Sequence, residues 1–452
     1  MTTDVVIRAH VPDRAAEDDG RSPTSVLAAL ASRRRGSSPR GTRRMRVLCT
    51  ALGSPQLVLP TIHVVGTDGK TSVVRIVAAL LEALGIRTGE TTSPHLQDVR
   101  ERIRIGGRPI VDAALARATA RLEEALAAVD REAGEPATFF EAVTATALRA
   151  FADAAVDVAV VEAGIGGARD ATGVVQGRVA VVTPVSSDHP ELGADLAQVA
   201  TEKGGVVGPG TTLVSAAQPP EVADALARVA AGRGAVLLRA GHDFGVLTRR
   251  PVAGGQHVGL RGLSGSRLRA TLPLRGAHQA ANAATALAAV QAFLGTTELD
   301  PALLRAGFAA VEVPGRVEVI RRADVADVVL DGAHDAAAVR ALVAAVRESP
   351  PLGGCAVVLG VGGGRDATEM VQALHELTPT FVVTSARSPT AMPTQPLAAC
   401  VRAAGAEAVA VPDVGDAVHE ASRQVPPDGL VVVTGSLHLV GDARTALGGR
   451  PS

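Results

Sequence analysis

Two α/β units in tandem, each a parallel sheet with crossover helices, are predicted by three features of the sequence. From Thr61 onward, short β-branched runs alternate with amphipathic stretches, the pattern of strands joined by crossover helices. The alternation breaks at Pro314-Gly315 and then begins again. At 452 residues the chain is also long enough for two or three domains, each with a core of its own.

Taken in order, residues 1–60 read as a weakly structured N-terminal extension. Acidic Glu17-Asp18-Asp19 precedes a short apolar helix around 26–31, and Arg33, Arg34, Arg35, Arg40, Arg43 and Arg44 follow. That basic stretch reads as a solvated loop rather than a nucleic-acid surface, because the chain as a whole is balanced, with 45 basic and 46 acidic residues. The first α/β unit is expected over 61–313. Its strands are predicted at 62–65, 156–162, 179–183, 212–215 and 235–238, and its helices at 71–84, 113–129, 140–152 and 220–231. A long helix at 278–294 leads to the break. The second unit, 314–452, repeats the pattern with strands at 328–330, 356–359, 381–384, 408–411 and 430–434. The glycine-rich segment 359–365 fails as a dinucleotide fingerprint because Arg365 stands where the last glycine is needed. It reads as a tight strand–helix turn.

Composition narrows the setting. An apolar share of 47 % excludes wholesale disorder. Cys49, Cys355 and Cys400 are scattered, with neither metal spacing nor a disulfide framework, as expected in a reducing cytoplasm. No apolar run approaches the roughly 18 residues of a membrane helix, and the acidic N-terminus is unlike a targeting peptide. Neither nucleic acid nor membrane is expected as a partner. Only Lys70 and Lys203 are lysines among the 45 basic residues. Lysine offers a compact charge and an amine that can lose its proton and react, which arginine cannot do.

The sharpest local signal is Ile62-His63-Val64-Val65-Gly66-Thr67-Asp68-Gly69-Lys70-Thr71-Ser72, a strand, a glycine-bearing turn and a helix start. Such a loop aims backbone N–H groups and a helix N-terminus at a phosphate chain. Lys70 is suited to neutralise the β/γ-phosphates, and Thr71 to offer its hydroxyl to Mg²⁺. Val64 occupies the place of the first Walker glycine, so nucleotide binding is weighed against an ordinary strand–helix turn. Glu162 ends an apolar strand ahead of Gly164, Gly166 and Gly167. A carboxylate there suits a metal as well as it suits solvent. Ser187-Asp188-His189 follows the next strand, and an isolated histidine is more often structural than a ligand.

These residues carry a resemblance. The chain resembles the folylpolyglutamate synthase and dihydrofolate synthase family of the Mur ligase superfamily, from about Thr61 to the C-terminus. Gly66 to Ser72 is similar to that family's phosphate loop, and Thr92-Ser93-Pro94-His95-Leu96 to its Ser-Pro-His segment. Glu101-Arg102-Ile103, Thr138-Phe139-Phe140-Glu141, Glu162 to Thr172, Ser187-Asp188-His189 and Glu202-Lys203-Gly204 follow in the family's order. His278-Gln279 with Asn282, Pro314-Gly315-Arg316, Asp331-Gly332-Ala333-His334, Ser388-Pro389 and Gly435-Ser436-Leu437 complete it.

The resemblance implies a P-loop ATPase domain followed by a Rossmann-like domain, in a cytoplasmic, monomeric, ADP-forming ligase. Such a ligase phosphorylates a small carboxylic acid and joins it to an amino acid such as L-glutamate or another amine. It implies ATP contacts at Gly66, Thr67, Asp68, Gly69, Lys70, Thr71, Ser72, Asn282, Arg316 and Asp331. Two magnesium sites are implied at Thr71, Ser93, Glu162, His189 and Lys203, the last carrying a carbamate. Lys70, Lys203 and His334 are implied in catalysis. The acceptor is expected at Thr138, Phe139, Phe140, Glu141, Arg169, Asp170 and Ala171, with the two phenylalanines otherwise core residues.

The sequence departs from the family at Asp68, Thr71, Gln97, Asp98, Gly173 and Asp335. These departures set a second reading, a diverged ligase acting on a non-folate acid, beside the first, with standard folates expected to be poor substrates. An inactive nucleotide-binding regulator is disfavoured by the presence of Lys70, Glu162, His189 and Lys203 together.

Overall fold

The computed structural model describes residues 41–186, 189–364, 367–377 and 379–451. The helix expected at 26–31, Arg33 to Arg35, Arg40, Ser187, Asp188 and Arg365 lie outside the described residues.

An eight-stranded sheet has the order β4-β3-β2-β5-β1-β6-β7-β8. Its strands are β1 (Thr61–Val65), β2 (Thr88–Thr91), β3 (Ile103–Ile105), β4 (Arg108–Pro109), β5 (Val158–Glu162), β6 (Gly177–Val182), β7 (Thr212–Ser215) and β8 (Val236–Arg239). The six from β2 to β8 in that order run parallel, and β3 and β4 add an antiparallel edge. β1 lies near the middle and is buried along its whole length. Ile62 and Val64 join Val160 and Val181 in a core beneath the helices Lys70–Ala83 and Ala277–Leu294. The opposite face of β5, Ala159 and Val161, packs on Leu148 and Phe151 of the Phe139–Asp153 helix. Covered on both faces, β1 and β5 are mostly apolar, as a buried parallel sheet requires, with His63 and Glu162 among the exceptions.

A second, antiparallel sheet is made of β9 (Gly245–Val252), β10 (Gly255–Arg261) and β11 (Arg267–Leu272). Its outer face carries arginines, and its inner face puts Leu268, Ala270 and Leu272 into the core beside the Ala277–Leu294 helix. Beyond the helix Pro301–Ala309 comes a six-stranded sheet ordered β12-β13-β17-β14-β15-β16. These are β12 (Glu318–Ile320), β13 (Asp327–Leu330), β14 (Cys355–Leu359), β15 (Thr380–Val383), β16 (Ala408–Ala410) and β17 (Leu430–Thr434). Only β12 is antiparallel, and apolar clusters cover both faces.

The structure adds β2, β3 and β4 to the strands expected, and it departs from the sequence reading elsewhere too. The helix expected over 113–129 is two, Asp112–Thr119 and Leu122–Ala133, and Thr119 turns its hydroxyl back onto the Leu115 carbonyl at 2.8 Å where they part. The β9–β11 sheet was not anticipated at all. Residues 43–51, read as part of a solvated approach, form a helix whose Met45, Leu48 and Cys49 are buried. Arg44 on that helix is no loop cation. Its Nε donates to Glu141 at 2.9 Å and its Nη1 to Glu135 at 3.0 Å.

The two α/β units meet at both rims of a cleft. At one, Gln97 Nε2 donates to Thr445 Oγ1 and to the Gly449 carbonyl, each at 2.9 Å, while its carbonyl receives Arg444. Gly441 has no side chain because a Cβ there would lie 2.1 Å from the Leu96 carbonyl oxygen. At the other, Arg249 Nη1 donates to Glu348 at 2.9 Å. Among the described residues no helix is long and apolar enough to cross a membrane.

Removing one partner of the buried Arg44–Glu141 pair strands the other charge. Arg44→Ala is expected to lower unfolding free energy by about 3 kcal/mol, read from urea denaturation; Arg44→Met, which keeps the stem packing, is expected to lose somewhat less.

Candidate active site

A cavity of about 1060 Å³ lies between the two α/β units, floored by the loop after β1. Gly66 has φ +138°, and a Cβ there would stand 2.0 Å from Thr183 Oγ1. Gly69 has φ +83°, caps the Lys70–Ala83 helix, and leaves room for the Asn282 amide, whose Oδ1 would be 2.7 Å from a Cβ. Only glycine meets both demands at once. The helix Ala277–Leu294 braces this loop from above. Gln279 Nε2 donates to Ser72 Oγ at 3.1 Å, and Asn282 Nδ2 donates to Gln279 Oε1 at 3.2 Å. Lys70 folds over the loop and donates to the carbonyls of Thr67, 2.9 Å, and Gly66, 3.1 Å.

Glu162, at the end of β5, is buried beside the loop. Burial pushes its carboxyl upward, opposed by the charge of Lys70. Thr71 Oγ1 lies 3.0 Å from each carboxylate oxygen, and the Ser93 backbone N–H donates to one at 3.1 Å. A carboxylate with two nearby hydroxyl-bearing residues is a hard-oxygen donor set, which fits Mg²⁺. His189 also borders the cavity, with Nδ1 3.4 Å from Glu191.

The second unit closes the far side. Asp331, following β13, accepts the backbone N–H groups of Val317 and Ala333, both at 2.9 Å. Burial raises its carboxyl too, and Arg316 counters this. His334 has Nδ1 3.1 Å from the Gly332 carbonyl. His278, on the roof, is pushed down to about 4 by burial, with Arg316 and Arg249 adding to the effect. It is therefore neutral near pH 7.

The expected acceptor residues divide. Thr138, Phe140, Glu141, Arg169, Asp170 and Ala171 border the cavity. Phe139 does not: its ring is in the core, with the Arg102 guanidinium 5.1 Å from its centroid. Thr138 and Glu141 form a capping box for the Phe139–Asp153 helix, and Glu141 also holds Arg44, so their polar atoms are spent on the wall itself. Asp170 is likewise turned inward, accepting Ile165, Gly166 and Thr172 backbone N–H groups. Lys203 is 0 % exposed and stands behind the lining, donating to Gly66 O at 2.8 Å and Ile165 O at 2.9 Å. The sequence reading missed Arg44 and Arg102 as bordering residues. Nothing local marks either one among 43 arginines.

Two family models match the chain: the Mur ligase middle domain over residues 64–290, and the Mur ligase, glutamate ligase domain over 315–437. The dihydrofolate synthase/folylpolyglutamate synthase of Mycobacterium tuberculosis is 41 % identical over 442 residues, covering 90 % of each chain. The chain belongs to this family of Mur ligases. Folylpolyglutamate synthase of Lacticaseibacillus casei is 34 % identical, over 90 % of this chain and 95 % of that one. The M. tuberculosis folylpolyglutamate synthase solved with ADP and AMPPCP superposes with a TM-score of 0.88 at 39 % identity, covering 95 % of this chain and 99 % of the other.

Within the family frame, four of the six departures have local reasons. Gln97 spans the two units. Asp98 caps the turn Val99–Arg102 and pairs with Arg100. Asp335 caps the Ala336–Arg347 helix by accepting Ala338 N–H at 2.8 Å. At Gly173 a Cβ would lie 2.8 Å from the Ala168 carbonyl oxygen and 3.2 Å from Thr42. None of these four is a border residue of the cavity, whereas Asp68 and Thr71 are.

Gly66→Ala is expected to cost the loop its shape. Calorimetric titration with a non-hydrolysable ATP analogue should show at least a tenfold weaker Kd, with far-UV circular dichroism unchanged.

Proposed function

We propose that this chain is an ATP-dependent, ADP-forming ligase that joins L-glutamate to a folate carboxylate. One observation carries the reading. A single cavity brings the phosphate loop and Glu162 of the first unit, the Phe140–Arg169 wall, and Arg316 and Asp331 of the second unit to one place. Relatives bearing the folylpolyglutamate synthase name align along nearly the whole chain.

The division of labour follows from charge and position. Lys70 swings from the Gly66 and Thr67 carbonyls onto the phosphates, joining the loop N–H groups. Arg316 approaches the γ-phosphoryl from the opposite side. Thr71, Ser93 and Glu162, with His189 on the same cavity, would hold Mg²⁺, which would supply charge neutralisation for the phosphates. An acceptor carboxylate oxygen bonds to the γ-phosphorus as the bond to ADP breaks. The neutral glutamate amine then bonds to the acyl carbon, and phosphate leaves. His334 is our candidate to receive the amine's proton. Asp331 serves ATP as an acceptor whose geometry its two backbone bonds fix, and Asn282 holds Gly69 in register beneath it. Four of the six departures have reasons in the fold, and relatives named folylpolyglutamate synthase align along nearly the whole chain, which favours a folate over a non-folate acid; Asp68 and Thr71, which border the cavity, have no such reason. The resemblance implies a monomer working in the cytoplasm, where ATP is at hand.

The purified chain, given ATP, Mg²⁺, L-glutamate and dihydropteroate or tetrahydrofolate, is expected to form ADP, phosphate and one glutamyl adduct in equal amounts. AMP with pyrophosphate, or no adduct with either acid, would overturn the reading.

A carbamate on Lys203 completes the proposed metal chemistry. Reaction with CO₂ would turn this buried amine into an anionic oxygen ligand, a conversion arginine cannot make. The product keeps one N–H, able to hold one of the Gly66 and Ile165 carbonyls, and its anionic oxygens would be free to serve as ligands. Carbon-13 NMR of protein in ¹³C-bicarbonate should show a carbamate resonance that vanishes in Lys203→Arg. Its absence from the wild type at saturating bicarbonate rules the modification out.

A further inference from the structure

His63 belongs to none of the site roles above, yet it begins a chain of contacts that returns to its own strand. It is 0 % exposed in the middle of β1, and its Nε2 lies 2.8 Å from Thr172 Oγ1. That hydroxyl donates to Asp170 Oδ1 at 2.7 Å, so its one proton is committed, and the histidine must be the donor at Nε2. Asp170 Oδ2 in turn accepts the N–H groups of Ile165, 3.2 Å, and Gly166, 3.3 Å. The Ile165 carbonyl accepts Lys203 Nζ, which also donates to the carbonyl of Gly66. Gly66 lies three residues beyond His63, directly after β1. The ring is closed.

Its two ends are the phosphate loop and the 164–170 loop that walls the acceptor side of the cavity. The other ring nitrogen of His63, Nδ1, is buried with no hydrogen-bond partner. Such a lone pair is tolerable on a neutral ring, and burial pushes His63 down to about 4. A nitrogen left unpaired in the core marks a histidine retained for its other nitrogen. A leucine or valine would pack β1 without that cost.

We propose that His63 is a positioning residue. It fixes the neutral Nε2–H tautomer as the first link of a hydrogen-bonded ring that sets the acceptor loop against the phosphate loop. The inference rests on the ligase reading for its kinetic consequence, and on the geometry alone for its structural one.

Three variants test it: His63→Leu, which removes the donor, His63→Gln, whose side-chain amide N–H can reach the same hydroxyl, and Thr172→Val, which cuts the next link. Hydrogen–deuterium exchange over residues 164–170 should quicken about tenfold in His63→Leu and in Thr172→Val, and stay near wild type in His63→Gln. This readout needs no turnover, so it stands even if the ligase reading fails. In the ligation assay, kcat should fall about tenfold in the same two variants with the KM for ATP little changed. The double variant His63→Leu/Thr172→Val should lose no more than either single one. Exchange and kcat at wild-type values in Thr172→Val, or in a folded His63→Leu, would overturn the proposal. So would a His63→Gln that behaves like His63→Leu, because a purely packing role would not distinguish a donor from a methyl group. Should His63→Leu fail to fold, Thr172→Val alone decides.

Discussion

The carbonyl oxygen of Gly66 receives both lysines of the chain, Lys70 at 3.1 Å and Lys203 at 2.8 Å. Much of the site hangs from this one acceptor. The peptide oxygen turned toward the two amines sits on backbone at φ +138°, which only glycine adopts freely, and Thr183 closes the space a side chain would need. One lysine approaches from the first turn of the helix that follows the loop, and the other from the end of Leu196–Gly204 across the sheet. The local turn and the long-range packing of β1 against β6 therefore meet at one atom. Arginine's broad fork could not serve a single carbonyl in so confined a space, which accounts for lysine at these two positions in an arginine-rich chain.

Buried carboxylates play a complementary part. Glu162 and Asp331 are both held away from water, both are pushed toward the neutral form by burial, and each has an opposing cation, Lys70 for the first and Arg316 for the second. The two cations come from different units of the chain. Arg316 also opposes the shift of Glu162 across the cleft, so the balance there draws on both units, and any ligand that draws Lys70 or Arg316 away changes the charge on the carboxylate left behind.

Much of this was legible in the sequence. The parallel strands of both units are short apolar runs bounded by turns, and the phosphate loop announces itself by its glycines and lysine. What escaped has physical causes. Of the strands β9 to β11, only β11 carries arginines at alternate positions, so its signal is alternation, visible at Arg267-Leu268-Arg269-Ala270 but weak against apolar runs, and β9 and β10 show no regular pattern. The helix Arg43–Ala51 buries Met45, Leu48 and Cys49 amid arginines whose number suggested a solvated loop. The acceptor wall was identified by its segment but not by its atoms. Thr138, Glu141 and Asp170 spend their polar atoms on caps and backbone, and spacing alone cannot separate a residue that builds a wall from one that faces its ligand.

The two rims of the cleft are fastened by different chemistry. Gln97 holds one through neutral amide bonds to Thr445 and Gly449, and Arg249 holds the other through an ion pair with Glu348. Dissolved salt weakens the second and scarcely touches the first. Raised ionic strength therefore loosens the Arg249 rim ahead of the Gln97 rim.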